Sequence, residues 1–464
     1  MQERGNIRYL IGISLIAALG GFLFGFDMTV VSGAIPFLEK IFALSGASLG
    51  WAVSSCILAC IVGAAFAGKL ADVYGRKRVL LGTAVLFAVS AVGAGWAHSF
   101  NAFIFYRLLG GLAIGAASGV APIYVAETAP TRYRGRFVSF YQMAIVVGIL
   151  TSYYSNYFLL RTGADAWRWM FTAGVAPAVL FCFLLFFVPE TPRWLAKTGN
   201  EAKALAILAR IDGPEYAQRE LAAIRETLQV RKGRLADLLE PRMRRIVIIG
   251  ALLGIFSQIS GANAVFLYAP RIFAQTGAGL QDSLFQTSLV GLINFICTFI
   301  PIMLVERVGR RPLLLGGVAC MTASMSLLTW LFLRHATGLA VLLTVLVFIA
   351  AYCSSIACLT WVILAEIFPN RIRGEAMSVA NLCLWSANYL LLQTFPVIEA
   401  RFGIAAAFGA YSVICVIILL FVWKFIPETK GKSLEEIEIQ LVGLASNPPR
   451  PERAAPAPAT PSKL

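Results

Sequence analysis

Twelve stretches of roughly 20 apolar residues follow one another along this chain, each long enough as a helix to cross about 30 Å of hydrocarbon. They lie near 9–33, 48–68, 78–97, 101–124, 137–159 and 168–188, then near 246–272, 284–305, 313–333, 338–364, 375–397 and 404–426. A single such helix could be buried in a soluble core, but a dozen of them leave too little polar surface to cover one. With 59% hydrophobic and only 14% charged residues, the composition is also built for lipid. The first stretch contains Asp27, is too long for a signal-peptide core and is followed by no small-residue cleavage site, so it reads as a mature helix. The expected fold is all-α and integral to a membrane, with twelve transmembrane helices in two six-helix bundles.

The formal charge of +15 does not point to nucleic acid, because the basic residues gather in short loops rather than in a stripe interleaved with aromatics. Lys69, Arg76, Lys77 and Arg78 follow span two, and Arg307, Arg310 and Arg311 follow span eight. Arg132, Arg134 and Arg136 follow span four, and Arg371 and Arg373 follow span ten. All four loops fall on one side, which the positive-inside rule makes cytoplasmic, together with both termini. Residues 191–245 carry both charge signs at helical spacing and read as short cytoplasmic linker helices between an N-terminal bundle (1–190) and a C-terminal bundle (246–440). Residues 441–464, rich in Pro, Ala and Ser, read as a disordered cytoplasmic tail.

The nine cysteines fall mostly singly inside apolar spans, and an odd count argues against a complete disulfide framework. With only His98 and His335 present, neither a metal site nor a histidine-centred catalytic site is expected. No cluster of nucleophile and acid–base groups at one depth suggests an enzyme.

The halves repeat each other. ADVYGRKRVLLG (71–82) is answered by VERVGRRPLLLG (305–316), AETAPTRYRG (126–135) by AEIFPNRIRG (365–374), and PET (189–191) by PET (427–429). Order and spacing are kept at offsets of about 234 to 239 residues, as an internal duplication of six spans requires. Two parallel repeats of this kind are the layout of major facilitator transporters. The acids Asp72, Glu127, Glu190, Glu306, Glu366 and Glu428 and the bases Arg76, Arg134, Arg310 and Arg373 recur at helix ends on the basic side. They are expected to form ion pairs between the halves, a latch that holds the cytoplasmic side shut. The plainer reading is that they only set topology.

These motifs resemble the sugar porter family of the major facilitator superfamily. The pieces are GGFLFGFD (20–27), GRKR (75–78), YRLLGG (106–111), PIYVAETAPTRYRG (122–135), PETPRW (189–194), GANAVFLYAP (261–270), GRRP (309–312), WVILAEIFPNRIRG (361–374) and PETKGKSLEEIE (427–438). They run in order over nearly the whole chain and look most like bacterial xylose and galactose symporters. The resemblance implies import of a sugar or polyol with a proton, in a bacterial inner membrane, by a monomer that needs no cofactor beyond the coupling proton.

Asp27 and Arg107 stand out as ionisable groups within spans, where a charge is costly unless paired, so a functional role is the default. Arg107 lies roughly 9 Å below the outer end of span four at ~1.5 Å per residue, a depth similar to that of Asp27. The two can pair, and protonating Asp27 would release Arg107. The resemblance places a proton-coupling Asp and Arg at these positions, whereas the family's passive facilitators carry Asn at the first. The acid that its xylose symporters have in span six is here Gly174. A static pair in a passive uniporter is the alternative, and a sugar sensor with a transporter fold is a second.

A sugar pocket needs amides, hydroxyls and an aromatic face. Gln142, Gln258, Asn263, Asn294 and Asn388 lie deep in spans, and Trp361 and Trp385 lie away from the interfacial belt. Phe24, in the Asp27 motif, joins this set. Singly, each amide could be helix–helix glue; the resemblance assigns the set to solute binding. The chain departs from the family pattern at Ser257 and Ile149 (usually Gln), Leu267 (usually Tyr), Leu384 (usually polar) and Ala357-Cys358 (usually Gly-Pro). Fewer hydrogen-bonding groups imply a deoxy sugar, a polyol or a less polar solute.

Overall fold

The structure is a computed structural model that describes residues 7–130, 132–229, 238–336, 338–369, 371–432 and 436. The expected tail at 441–464, part of the linker (230–237) and most of the last motif beyond Lys432 lie outside the described residues.

The first half comprises α1 (Ile7–Phe42), α2 (Gly46–Tyr74), α3 (Arg76–Gly95), α4 (Phe100–Thr128), α5 (Arg134–Leu159), α6 (Ala166–Thr172) and α7 (Val175–Leu185). Three short helices follow, α8 (Pro192–Lys197), α9 (Glu201–Asp212) and α10 (Pro214–Gln229). The second half comprises α11 (Pro241–Ile259), α12 (Ala262–Ala274), α13 (Leu280–Cys297), α14 (Phe299–Val308), α15 (Arg310–Leu333), α16 (Leu339–Ser354), α17 (Ile356–Ile367), α18 (Arg373–Phe402) and α19 (Ile404–Phe425). No strand occurs among the described residues.

Ten stretches of the described residues are long and apolar enough to cross a membrane. One of them, Arg134–Leu185, would be a helix of about 80 Å if unbroken. It is interrupted by a 3-10 turn at Leu160–Asp165 and therefore supplies two crossings. The remaining crossing is α18, a 30-residue helix that carries Glu375, Glu399 and Arg401. The total is twelve. The helices outrun their apolar stretches: α1 has 36 residues, about 54 Å, so its ends project beyond the hydrocarbon. Ser45 and Ser48 start α2 with a reciprocal capping box.

Four crossings are broken. Crossing six bends at Ala173–Gly174, seven at Ser260 and Gly261, eight at Thr298, and ten at Ser355 (φ −132°, ψ −94°). The last break forms without the Gly-Pro pair usual in the family, and two residues before Ala357. Ser355 Oγ donates to Ala351 O at 2.6 Å, and a hydroxyl that competes in this way for a helix carbonyl tends to bend the helix.

Helices α1 and α5 meet through glycines. A Cβ on Gly25 would stand 2.0 Å from Ile145 O, and one on Gly148 would stand 2.1 Å from Phe22 O. Small residues let the backbones touch where lipid offers no hydrophobic drive to association.

One continuous core runs the length of the second half, and at the end away from the basic loops the first half joins it, with Val30, Ile35, Leu49 and Phe103 in the same cluster as Phe266, Ile272 and Phe395. Toward the basic end, the first half has its own separate core, with Leu10, Ala67, Leu80, Tyr124 and Phe137. The halves are thus packed together at one end only. Contacts between them reach as deep as the rings of Phe24 and Trp385, whose centroids are 5.9 Å apart.

Candidate functional site

Asp27 and Arg107, on α1 and α4, are 7% and 1% exposed, and they meet. Arg107 NH1 donates to Asp27 Oδ2 at 3.1 Å and to the Asp27 backbone carbonyl at 3.1 Å. The guanidinium also lies over the Phe171 ring, 5.6 Å from its centroid. The Cys56 thiol donates to the same Oδ2 at 3.8 Å. A small cavity beside the pair is lined by Leu23, Phe26, Asp27, Phe87, Ala91, Phe171 and Gly174. Gly174, where the resemblance expected an acid, lines the same cavity as Asp27, with the Phe26 ring against it. The arrangement is a buried ion pair closed between α1 and α4.

Five of the eight expected solute groups fall into three clusters, and Gln142, Trp361 and Asn388 stand apart from them. Phe24 faces Trp385, and both rings are half-buried. On crossing seven, Asn263 Nδ2 donates to Gln258 Oε1 at 2.7 Å and Gln258 Nε2 donates to Ser257 Oγ at 3.1 Å. On crossing eight, Asn294 accepts from the Cys353 thiol at 3.0 Å. Asn388 is 1% exposed and its Oδ1 is buried without a partner. Gln142 is exposed on α5, and Trp361, 39% exposed on α17, is not stacked on another ring among the described residues. Leu267 and Leu384 are buried in the packing. Ser257, read only as a lost glutamine, is a hydrogen-bond anchor.

The repeated basic-end motifs do something other than the bridging expected of them. Glu190 accepts from the N–H groups of Arg76 (2.9 Å), Lys77 (3.1 Å) and Thr191 (2.9 Å). Glu428 accepts from those of Arg310 (3.1 Å), Arg311 (3.0 Å), Thr429 (2.9 Å) and Lys430 (2.9 Å). Each PET carboxylate thus caps the N-terminus of the helix that follows the glycine-arginine turn, where the helix dipole favours an anion. Gly75 (φ +95°) and Gly309 (φ +99°) are required, because a Cβ would stand 2.3 Å and 2.7 Å from the respective carboxylates.

Arg76 pairs with Asp72 (3.1 Å) and Glu127 (2.9 Å), and Arg310 pairs with Glu306 (2.9 Å) and Glu366 (3.1 Å). Arg134 Nε is buried without a partner, and Arg373 Nε donates to Phe368 O at 3.2 Å. All these bonds stay within a half. Among the described residues, none of them forms the expected latch between the halves, which are joined at their other end.

Burial pushes the Glu428 carboxyl up, but the N–H groups of Lys430, Arg310, Arg311 and Thr429 outweigh it and hold the group below its ordinary 4.5. A carboxyl depressed by folding adds stability above its unfolded value and loses it as pH falls through the folded one. Glu428→Gln is therefore expected to lower stability at pH 7 by about 1 kcal/mol after allowance for solvent screening. The gap to the parent should close below the ordinary carboxyl value of 4.5, as read by thermal unfolding in detergent across pH.

The ion pair that joins the halves among the described residues was missed by sequence reasoning. Arg271 on α12 pairs with Glu39 on α1, and its Nε donates to Glu399 on α18 at 2.6 Å. Gln275 Nε2 also donates to Glu399, at 3.2 Å. Beside this clasp, Gln393 Nε2 donates to Ala47 O at 3.0 Å, and Ser54 donates to Gln393 Oε1 at 2.7 Å. The signal available was a pair of charges, Arg271 and Glu399, near the ends of spans; their separation of 128 residues hid the pairing.

Two six-crossing halves, closed at one end around buried polar groups, define a membrane transporter of the major facilitator type. The chain belongs to the sugar porter family: the family described as "Sugar (and other) transporter" matches residues 13–441. An arabinose-proton symporter of Bacillus subtilis is 39% identical over 93% of this chain and 95% of its own. A D-xylose-proton symporter of Escherichia coli is 38% identical over 94% of this chain and 97% of its own. Among solved structures, the inward-open conformation of the E. coli xylose transporter matches with a TM-score of 0.85 at 37% identity, covering 93% of this chain and all of that one.

Proposed function

We propose that this protein imports a pentose, hexose or related polyol together with a proton, with Asp27–Arg107 as the coupling pair. The buried Asp27–Arg107 bond carries the reading, because a lone ion pair at membrane depth is poor structural cement and a natural proton switch. The relatives named as arabinose- and xylose-proton symporters support it. The solute is held by Phe24, Gln142, Gln258, Asn263, Asn294, Trp361, Trp385 and Asn388 between bundles 1–190 and 246–440, which the linker 191–245 joins. The basic loops mark the cytoplasmic side, placing both termini in the cytoplasm and the protein in the inner membrane. The conformation described is then inward-facing, with the Glu39–Arg271–Glu399 clasp shut on the outside. On the opposite stroke the Asp72, Glu127, Glu306 and Glu366 clusters with their arginines close the cytoplasmic side. One chain supplies both halves, so a monomer suffices, and no cofactor other than the proton is needed.

Gly174 favours one second reading, a passive uniporter, since the acid of the xylose symporters is missing beside Asp27. Proteoliposomes loaded with a pH dye separate the two. Adding D-xylose, L-arabinose or D-glucose outside should acidify the lumen. In Asp27→Asn, acidification should be lost while exchange of labelled sugar persists. Sugar entry without acidification in the parent chain establishes the uniporter.

A further inference from the structure

Asn294 is 5% exposed, and its Oδ1 is taken by the thiol of Cys353, itself 2% exposed, at 3.0 Å. Among the described residues its Nδ2 makes no hydrogen bond, and it is not one of the fully occluded polar atoms, so this end of the amide is left free to donate. Gly291, one turn earlier on α13, touches Tyr153 and Leu150 of α5. Asn294, one turn further along α13, lies on the same side of the helix as this approach of the halves. Cys353 lies two residues before the break at Ser355, so its helix ends at the level of the pocket.

An amide with both ends free can turn over and either donate to or accept from a hydroxyl. One whose oxygen is turned to a thiol donor presents its NH₂ end to the other side, and that end can only donate. We propose that Cys353 is a positioning residue that fixes the sense of Asn294, making it a pure donor to one solute hydroxyl and so setting which solutes fit. This rests on the sugar-transport reading above. Crossing seven is organised in the same way: Ser257 and Asn263 occupy the two ends of the Gln258 amide, which likewise fixes its orientation. Two small side chains outside the expected solute set, Cys353 and Ser257, thus each take one end of a candidate solute amide.

The test compares sugar analogues. A C–F group can accept a hydrogen bond but cannot donate one, whereas C–H₂ does neither. Whichever of D-xylose, L-arabinose and D-glucose binds the purified protein most tightly is competed with each of its monodeoxy and monodeoxyfluoro analogues. At one ring position the fluoro analogue should bind several-fold better than the deoxy analogue, as loss of one hydrogen bond implies. Cys353→Ala should collapse this ratio towards one, and Cys353→Ser, which keeps a donor, should restore it. A purely structural role would shift the unfolding temperature of Cys353→Ala and leave the ratio alone. An unchanged ratio in Cys353→Ala, or a serine variant that behaves like alanine, overturns the proposal while sugar binding itself stands. If the parent chain binds none of the three sugars, the sugar reading fails and the proposal fails with it.

Discussion

An Arg107→Met variant is expected to lose about 3–5 kcal/mol of stability, and Asp27→Leu/Arg107→Met to recover most of that loss. Arg107 supplies two hydrogen bonds to Asp27, one to the carboxylate and one to the backbone carbonyl. Without it, the described donor left to Oδ2 is the Cys56 thiol at 3.8 Å, a weak one. A buried charge stripped of its partner is costly, whereas replacing both members by apolar side chains of similar size is often neutral. Unfolding of both variants in detergent measures the difference. Equal losses in the single and double variants would show that the pair does not act as a closed unit. Coupled transport should be abolished in both, which separates the stability of the pair from its use.

Reversing the clasp should have the second large effect. Arg271→Glu puts three acids, Glu39, Glu399 and the new one, where the halves meet, and like charges in contact oppose closure. Transport is expected to fall at least tenfold, since each cycle must close this end, and ~1.4 kcal/mol of lost closing energy is enough for that. The double exchange Glu39→Arg/Arg271→Glu restores two acids and one base across the same gap and should regain a substantial part of the rate. Rates of labelled-sugar exchange in proteoliposomes test both. A single variant with the parent's rate, or a double variant no better than the single, would remove the clasp from the gating cycle.

What could be read without coordinates follows the range of the interaction. Asp27 and Arg107 were legible because a charge inside an apolar stretch has few ways to survive, and depth counted along two helices put them level. The PET carboxylates were placed in the right region and given the wrong work. Sequence shows acids and arginines near one another, but whether Glu190 meets a guanidinium or a helix N-terminus depends on how α3 starts after Gly75. Glu39, Arg271 and Glu399 went unremarked because charges at span ends usually face solvent, and only the approach of the halves turns them inward. Cys353 and Ser257 looked inert. Their hydrogen bonds to Asn294 and Gln258 come from side-chain direction, which apolar patterning does not encode.

The sequence alone determined twelve crossings, their duplication and the side that carries the basic loops, because lipid forces every backbone group into a helix and leaves long apolar runs as the record. It also narrowed the candidates for the pocket, since polar side chains in those runs are few. Only the tertiary structure decided which end is shut, and it did so by merging the first half into the core of the second at that end and leaving it a separate core at the other. A cycling transporter needs two packings of nearly equal energy, so its sequence is compatible with both, and the contacts that hold one of them exist only once the helices have met.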